Sequence, residues 1–214
     1  MNKPELPSRP RGRPRAFDRD DALDRAMHLF WRRGYEATSV SELTEAMGIT
    51  PPSLYAAFGD KKRLFLEAVD RYQAGPGSFA RAALCDEPTA EAAMRCLMMG
   101  TIDSFFAPNG TKGCMVVLAA TNCTTESSDI LEELAGRRRL AERLVRDRIA
   151  AGRDAGEFAA DTDVDALASL IITTLYGLSI KARDGASRAS LRKVVEQVMS
   201  TWPRPRAGRE SKRV

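Results

Sequence analysis

Histidine is nearly absent from this 214-residue chain, which has one His and 7% aromatic residues. With only His28 available, the sequence argues against a histidine-based metal site. No Gly-x-Ser-x-Gly motif or other arrangement of nucleophile and base is present either. We therefore expect no enzyme activity, no catalytic residue, no cofactor and no metal.

Long apolar runs are also missing. No uninterrupted stretch approaches the roughly 18 residues that a membrane span requires. The N-terminus continues through Pro, Arg and Gly with no apolar segment behind it, so it does not have the pattern of a secretory signal. The expected location is cytoplasmic, with no membrane partner.

Cysteine is sparse and widely spaced. Cys85, Cys96, Cys114 and Cys123 lie 11, 18 and 9 residues apart. This is neither a zinc-ligand spacing nor a secreted disulfide framework. The sequence favours reduced, partly buried thiols. A redox-sensing thiol is the alternative, with Cys114 the candidate because it stands at a helix start.

Positive charge is present but concentrated at the two ends. Residues 1–15 and residues 203–214 each carry a net charge of +4, which leaves −4 for the remainder of a chain whose total is +4. The Pro- and Arg-rich composition predicts a disordered basic arm over 1–16 and a disordered basic tail over 203–214. Basic arms commonly bind polyanions.

Helix signals follow closely after the arm. Asp18 caps a first helix that ends at Gly34, and Ser39 with Glu42 forms a capping box for a short second helix. After Gly48, Thr50 caps a third helix, which begins with two prolines, as the first turn allows. A fourth helix is predicted over 61–73.

The rest of the chain also reads as helical. Apolar residues recur at helical spacing over 89–106, 113–123, 128–154, 163–183 and 188–202, and no segment shows sustained strand-like alternation. The expected fold class is all-α. A three-helix helix-turn-helix domain (17–62) would precede a helical ligand-binding and dimerisation domain (63–202).

Two short helices joined by a glycine turn after a longer helix form a helix-turn-helix unit. Residues 26–30 (AMHLF), 34–35 (GY), 38–40 (TSV), 46–49 (AMGI) and 53–61 (SLYAAFGDK) resemble the DNA-binding domain of TetR-type regulators. The resemblance covers about residues 17–66. Farther along, only length and helix pattern agree.

The resemblance implies which residues meet double-stranded DNA. Phosphate contacts are expected from Thr38, Tyr55 and Lys61, and groove-facing positions from Thr50, Pro51, Pro52 and Ser53, with Ser39 also in the interface. Because the third helix carries no Arg, Asn or Gln, thymine methyl contacts and groove shape are expected to replace bidentate base readout.

The arm contains a motif of its own. Its Arg-Gly-Arg-Pro segment resembles an AT-hook, whose arginines enter narrow A·T minor grooves. Arg11, Arg13 and Arg15 are therefore added to the expected DNA contacts. The plainer interpretation is a solvated charged tail.

Two further sites are predicted in the C-terminal part. The resemblance implies a homodimer through the last two helices, whose apolar positions are Leu167, Ile171, Leu175, Leu178, Leu191, Val194, Val195, Val198 and Trp202. Large adaptable side chains suggest a pocket for a small effector, lined by Met98, Phe105, Phe106, Cys114, Met115, Leu118 and Tyr176. Both sets could instead be internal core.

The function that fits these features is a homodimeric transcriptional repressor that binds an inverted repeat and is released by a small effector. The alternative is an architectural protein that uses the arm to bind A·T-rich minor grooves with little sequence preference.

Overall fold

The computed structural model describes residues 17–108, 110–121 and 123–204. Within these ranges the protein is all-helical, which confirms the predicted fold class. The predicted arm contacts of Arg11, Arg13 and Arg15 lie outside the described residues. The helices are α1 (Arg19–Arg33), α2 (Val40–Met47), α3 (Pro51–Phe58), α4 (Lys61–Ala74), α5 (Phe79–Cys85), α6 (Ala90–Phe105), α7 (Met115–Leu118), α8 (Ser128–Asp154), α9 (Val164–Arg183) and α10 (Arg188–Ser200), with a 3-10 turn at Thr125–Ser127 before α8.

The ends of the first four helices are set by the side chains that the sequence indicated. Asp18 accepts hydrogen bonds from the backbone amides of Asp20 and Asp21, and Ser39 and Glu42 form the reciprocal capping box. Gly48 ends α2 in the left-handed conformation with φ of 69°. These local contacts satisfy helix-end groups that would otherwise lack partners.

Two segments of the structure differ from the predicted helices. Helix α5 was not predicted; its N-terminus has no side-chain cap, and it buries only Ala83. The helix predicted over 113–123 is reduced to the four residues of α7, and Ala119 and Ala120 form a turn after it. In both places the helix follows from packing against neighbours rather than from a local signal.

The hydrophobic interior consists of two clusters. The first joins α1–α4 to α7 and the start of α8, through Met115, Val116, Ile130 and Leu134. The second joins α6, α9 and α10 with the middle of α8. Helix α4 therefore packs wholly within the first cluster, so the cores do not divide at residue 62.

Helix α9 is the one helix in the described part of the chain that is long and apolar enough to cross a membrane. Its most apolar window has a mean hydropathy of 1.4, and 33% of that window is buried inside the protein. No such segment was expected from the sequence, because polar residues such as Ser169, Thr173 and Thr174 interrupt the apolar run. Core helices of soluble proteins pass the same test, and Ile171, Ile172 and Leu178 of α9 lie in the second cluster.

Candidate nucleic-acid interface

The α2–turn–α3 segment presents one continuous exposed surface. Thr50 caps α3 by accepting a hydrogen bond from the Ser53 amide at 3.4 Å, and the two hydroxyls of these residues lie 3.0 Å apart. Leu54 and Phe58 are the two α3 side chains buried in the core. Burial of this single edge orients the rest of α3 outward.

The outward face of α3 is formed by Pro51, Pro52, Tyr55 and Ala56. Tyr55 is 51% exposed, a large value for an aromatic side chain. This face offers apolar surface and one phenol, with no charged group. It is suited to close packing in a groove and contains no side chain for bidentate base recognition.

Lys61 lies at the first position of α4, beside this surface. Its ammonium nitrogen is 4.2 Å from the centre of the Tyr35 ring, a cation–π contact. Burial lowers the pKa of Lys61, while nearby Glu36, Cys123 and Glu42 act in the opposite direction. The lysine is thus held in place near the first-turn amides of α4, where phosphate oxygens bind readily.

Thr38 has a different place from the one predicted. Its side chain is fully buried, and its hydroxyl donates a 2.6 Å hydrogen bond to the carbonyl of Gly34. A side chain with no exposed surface does not reach phosphate, so Thr38 stabilises the α1–α2 turn instead. The adjacent Ser39 is exposed, although its hydroxyl serves the capping box.

Arg19 is a residue that the sequence analysis missed. Its guanidinium donates to the Ala57 carbonyl from Nε and Nη2, each at 3.4 Å, and Nη2 lies 2.6 Å from Oε2 of Glu67. The same group stands 4.4 Å from the centre of the Phe58 ring. One side chain therefore joins α1, α3 and α4. Its partners are 38 to 48 residues away in the chain, so no local pattern indicates them.

A second set of contacts joins α1 to the C-terminal part. The indole of Trp31 donates a 2.6 Å hydrogen bond to the Gly113 carbonyl, and the Trp31 carbonyl accepts one from Arg183 at 2.8 Å. The amide of Tyr35 bonds the Ala119 carbonyl at 2.7 Å. The segment 113–120 is thus fixed between the DNA-binding helices and α9.

Salt bridges also join α4 to α8. Lys62 pairs with Asp129 at the start of α8, and Arg137 of α8 pairs with Asp70 of α4 at 2.6 Å. Glu36 accepts hydrogen bonds from the amide and the hydroxyl of Thr124. A hydrogen bond from the Ser127 side chain, followed by those from Thr124, lowers the pKa of Glu36.

Most of the predicted effector residues are packed into or against the two hydrophobic clusters. Met98 and Phe105 are buried in the second cluster, and Met115 in the first. Phe106 and Tyr176 pack against the second cluster, Cys114 packs against both clusters, and Leu118 is half-buried. Two surface clefts, of about 510 and 280 Å³, lie elsewhere, between α1 and α4 and between α8 and α9.

The predicted dimer seam needs correction. Ile171, Leu178, Leu191, Val195 and Trp202 are buried inside a single chain, so they form no exposed seam. Leu167, Leu175, Val194 and Val198 are half-buried against the same core.

Exposed apolar side chains lie on other positions: Leu131, Leu140 and Leu144 of α8 and Leu170 and Ile180 of α9. Periodicity located the apolar side of α9 correctly. It did not distinguish the inner side of that helix from the outer, because apolar residues lie on both sides.

Comparison with known proteins agrees with this geometry over nearly the whole chain. Residues 22–68 match the family described as "Bacterial regulatory proteins, tetR family", and residues 90–198 match "Tetracyclin repressor-like, C-terminal domain". The chain is similar to the HTH-type transcriptional repressor ComR of Escherichia coli K12, with 37% identity over 90% of this chain and 92% of that protein. BdcR, another HTH-type transcriptional repressor of the same strain, is 33% identical over 91% of this chain and 90% of its own length.

A solved structure is similar in both sequence and fold. It is a cysteine mutant of the TetR family transcriptional regulator CifR complexed with 26-base-pair double-strand operator DNA. The identity is 46%, the TM-score is 0.87, and the match covers 90% of this chain and 100% of that one.

Proposed function

The chain belongs to the TetR family of transcriptional regulators, and from this we propose that it is a homodimeric repressor that binds an inverted-repeat operator through α3 and is released by a small effector. The observation that carries the proposal is the outward face of α3, which consists of Pro51, Pro52, Tyr55 and Ala56. Lys61, held by its contact with the Tyr35 ring, follows at the start of α4. Together they combine an apolar surface for the groove with a cation for the backbone.

DNA recognition in this proposal has two parts. Tyr55 and Lys61 contact phosphates and set the position of the protein, which carries little sequence information. Pro51, Pro52 and Ala56 pack against thymine methyls and follow groove shape. The arm residues Arg11, Arg13 and Arg15 add minor-groove contacts beside A·T pairs. A cytoplasmic location goes with this function.

Dimerisation is proposed through the outer sides of α8 and α9. The Ser169 hydroxyl donates a hydrogen bond to Glu142, and Arg146 pairs with Asp165. The two helices therefore run antiparallel, with residue 142 beside residue 169 and residue 146 beside residue 165. The exposed apolar side chains close in sequence to these two pairs are Leu140 and Leu144 of α8 and Leu170 of α9. The exposed side of α10 is polar instead, carrying Arg192, Lys193, Glu196 and Gln197. An apolar outer side on both helices suits a four-helix bundle with a second copy.

Effector release is proposed to act through the segment 113–120. Cys114 and Met115 lie where the two cores meet, and the carbonyls of Gly113 and Ala119 hold α1. A ligand that enters among Phe106, Tyr176 and Leu118 would have to displace this segment, because the side chains there are packed. Displacing it would loosen the hold on α1 and thereby on the DNA-binding helices.

The architectural alternative is less favoured, because ComR and BdcR are transcriptional repressors and the transcriptional regulator CifR is seen on operator DNA. The test is selection of duplexes from a random-sequence library by the full chain, followed by hydroxyl-radical footprinting. The expected result is an inverted repeat whose half-sites are protected symmetrically. Diffuse protection of A·T-rich duplexes with no repeat would contradict the proposal.

A further inference from the structure

The recognition helix is held in the protein by few groups. Helix α3 has eight residues, and only Leu54 and Phe58 are buried. At its N-terminal end the helix is fixed by the Thr50 cap. The orientation of the opposite end therefore depends on what binds the C-terminal turn.

The carbonyls of that turn have no partners within the helix, as at any helix end. Those of Tyr55 and Phe58 accept the amides of Gly59 and Asp60, at 2.9 and 3.2 Å. The Ala57 carbonyl accepts the guanidinium of Arg19. Arg19 thus supplies the partner of one of these carbonyls and places a positive charge at the end of α3 where a cation is favoured.

Arg19 also connects this turn to the remainder of the domain. Its contacts with the Phe58 ring and Glu67 tie the end of α3 to α4, while its backbone begins α1. The side chain is 27% exposed, so the Glu67 pair is partly shielded from solvent. A planar fork with several donors can make these contacts together, which a lysine cannot do.

We propose that Arg19 is a positioning residue for sequence recognition, one that sets the angle at which α3 enters the groove without itself contacting a base. This inference rests on the proposed function. The outward face of α3 reads DNA through close apolar contact and groove shape, with no hydrogen-bonding fork of its own. Such recognition depends on the placement of the helix, so loss of Arg19 reduces specificity more than general DNA affinity.

The test compares Arg19→Met with Arg25→Met in the full chain. Arg25 lies on the same helix and, within the described part of the chain, pairs locally with Asp21 (3.0 Å), so its replacement removes the same charge without touching α3. Affinity is measured for the duplex selected by the wild-type protein and for a scrambled duplex of the same composition. The specificity is the ratio of the two dissociation constants.

The expected result is a loss of specificity of about tenfold for Arg19→Met, the scale of a lost charged hydrogen bond. The ratio for Arg25→Met should stay within about twofold of wild type, a change typical of surface sites. Replacing thymine by deoxyuridine in the selected duplex removes only methyl groups. It should weaken wild-type binding and weaken binding by Arg19→Met much less.

Equal losses on both duplexes, or an unchanged response to deoxyuridine, would overturn the positioning role and make Arg19 a phosphate contact or a general stabiliser. If Arg19→Met does not fold, the same ratio of dissociation constants is measured for Arg19→Lys, which keeps the charge and loses the guanidinium fork. A wild-type ratio near one would overturn the proposed function as well. A high wild-type ratio that the variants retain would overturn only the role of Arg19.

Discussion

The DNA-binding helices α1–α4 and the helices α8–α9 leave different surfaces uncovered. Among large apolar side chains, the first group exposes only Tyr55, on the face of α3. The second exposes Leu131, Leu140, Leu144, Leu170 and Ile180. One surface is suited to a polyanion with grooves, and the other to a second apolar surface. We therefore propose one of these faces for DNA and the other for a second copy of the chain.

The difference also shows how each region is specified. In α1–α4 each helix begins at a side chain that caps it, so the chain itself marks the boundaries. Of α8 and α9, only α9 begins at a side chain that caps it, Asp163, and apolar residues lie on both the inner and the outer sides of these helices. Which side is covered depends on tertiary packing.

The largest expected effect separates the two sides of α9. Ile171→Ala should lower the free energy of unfolding by about 3 kcal/mol, because its side chain is fully buried and leaves a cavity. Leu170→Ala, one residue away, should cost less than half as much when both variants are compared at a protein concentration low enough for the chain to be monomeric, because 44% of that residue is exposed in a single chain. Chemical denaturation measures both. Equal losses would mean that the two sides are not distinct.

Substitutions at two glycines compare the segment 113–120 with the turn of the helix-turn-helix. Gly113 and Gly48 both have positive φ, of 88° and 69°. A Cβ on Gly113 would stand 2.4 Å from Cδ1 of Leu118 and 2.9 Å from the Ser179 carbonyl oxygen, whereas one on Gly48 meets nothing within 4 Å. Gly113→Ala should therefore destabilise by about 2 to 3 kcal/mol and Gly48→Ala by about 1 kcal/mol.

Thermal unfolding measured by circular dichroism checks this pair. If Gly48→Ala proves the more damaging variant, the segment 113–120 is not held as tightly as the structure indicates. The same two variants also give a functional readout, because only Gly113→Ala should change how an effector acts on DNA binding.

The smallest effect concerns the surface that faces DNA. Lys61→Ala should reduce the slope of log affinity against log salt by about 1, as expected for one lost phosphate contact. Lys193→Ala on the exposed side of α10 is the control and should leave the slope unchanged. Titrations over a range of salt concentrations provide the slopes. Equal slopes for Lys61→Ala and wild type would remove Lys61 from the interface.

Much of the fold could be predicted because its signals are local. Capping residues such as Ser39 and Thr50 lie three residues from the amides they bind, so sequence order alone reveals them. Helix α5 has no such cap and was missed. Its helical state depends on α6, against which it packs, where Gly100 leaves room for the Phe79 ring.

The sites were predicted less completely, for a related reason. Tyr55 and Lys61 were predicted as phosphate contacts because their segment resembles a family motif, and these roles stay predictions; the structure leaves Tyr55 51% exposed on the outward face of α3. Thr38 belongs to the same motif, yet its hydroxyl is bound to Gly34. Arg19 and the exposed residues of α8 and α9 depend on contacts between distant parts of the chain, which spacing does not encode.

The central claim is that the apolar outer side of α8 and α9, rather than α10, joins two copies of the protein. Sedimentation equilibrium of Leu170→Arg tests it most directly, with Lys193→Glu on α10 as the control. A charge desolvated without a partner in an apolar interface is costly, so Leu170→Arg should sediment as a monomer with unchanged helix content while the control stays dimeric. A Leu170→Arg protein that keeps the mass of the dimer would contradict the claim.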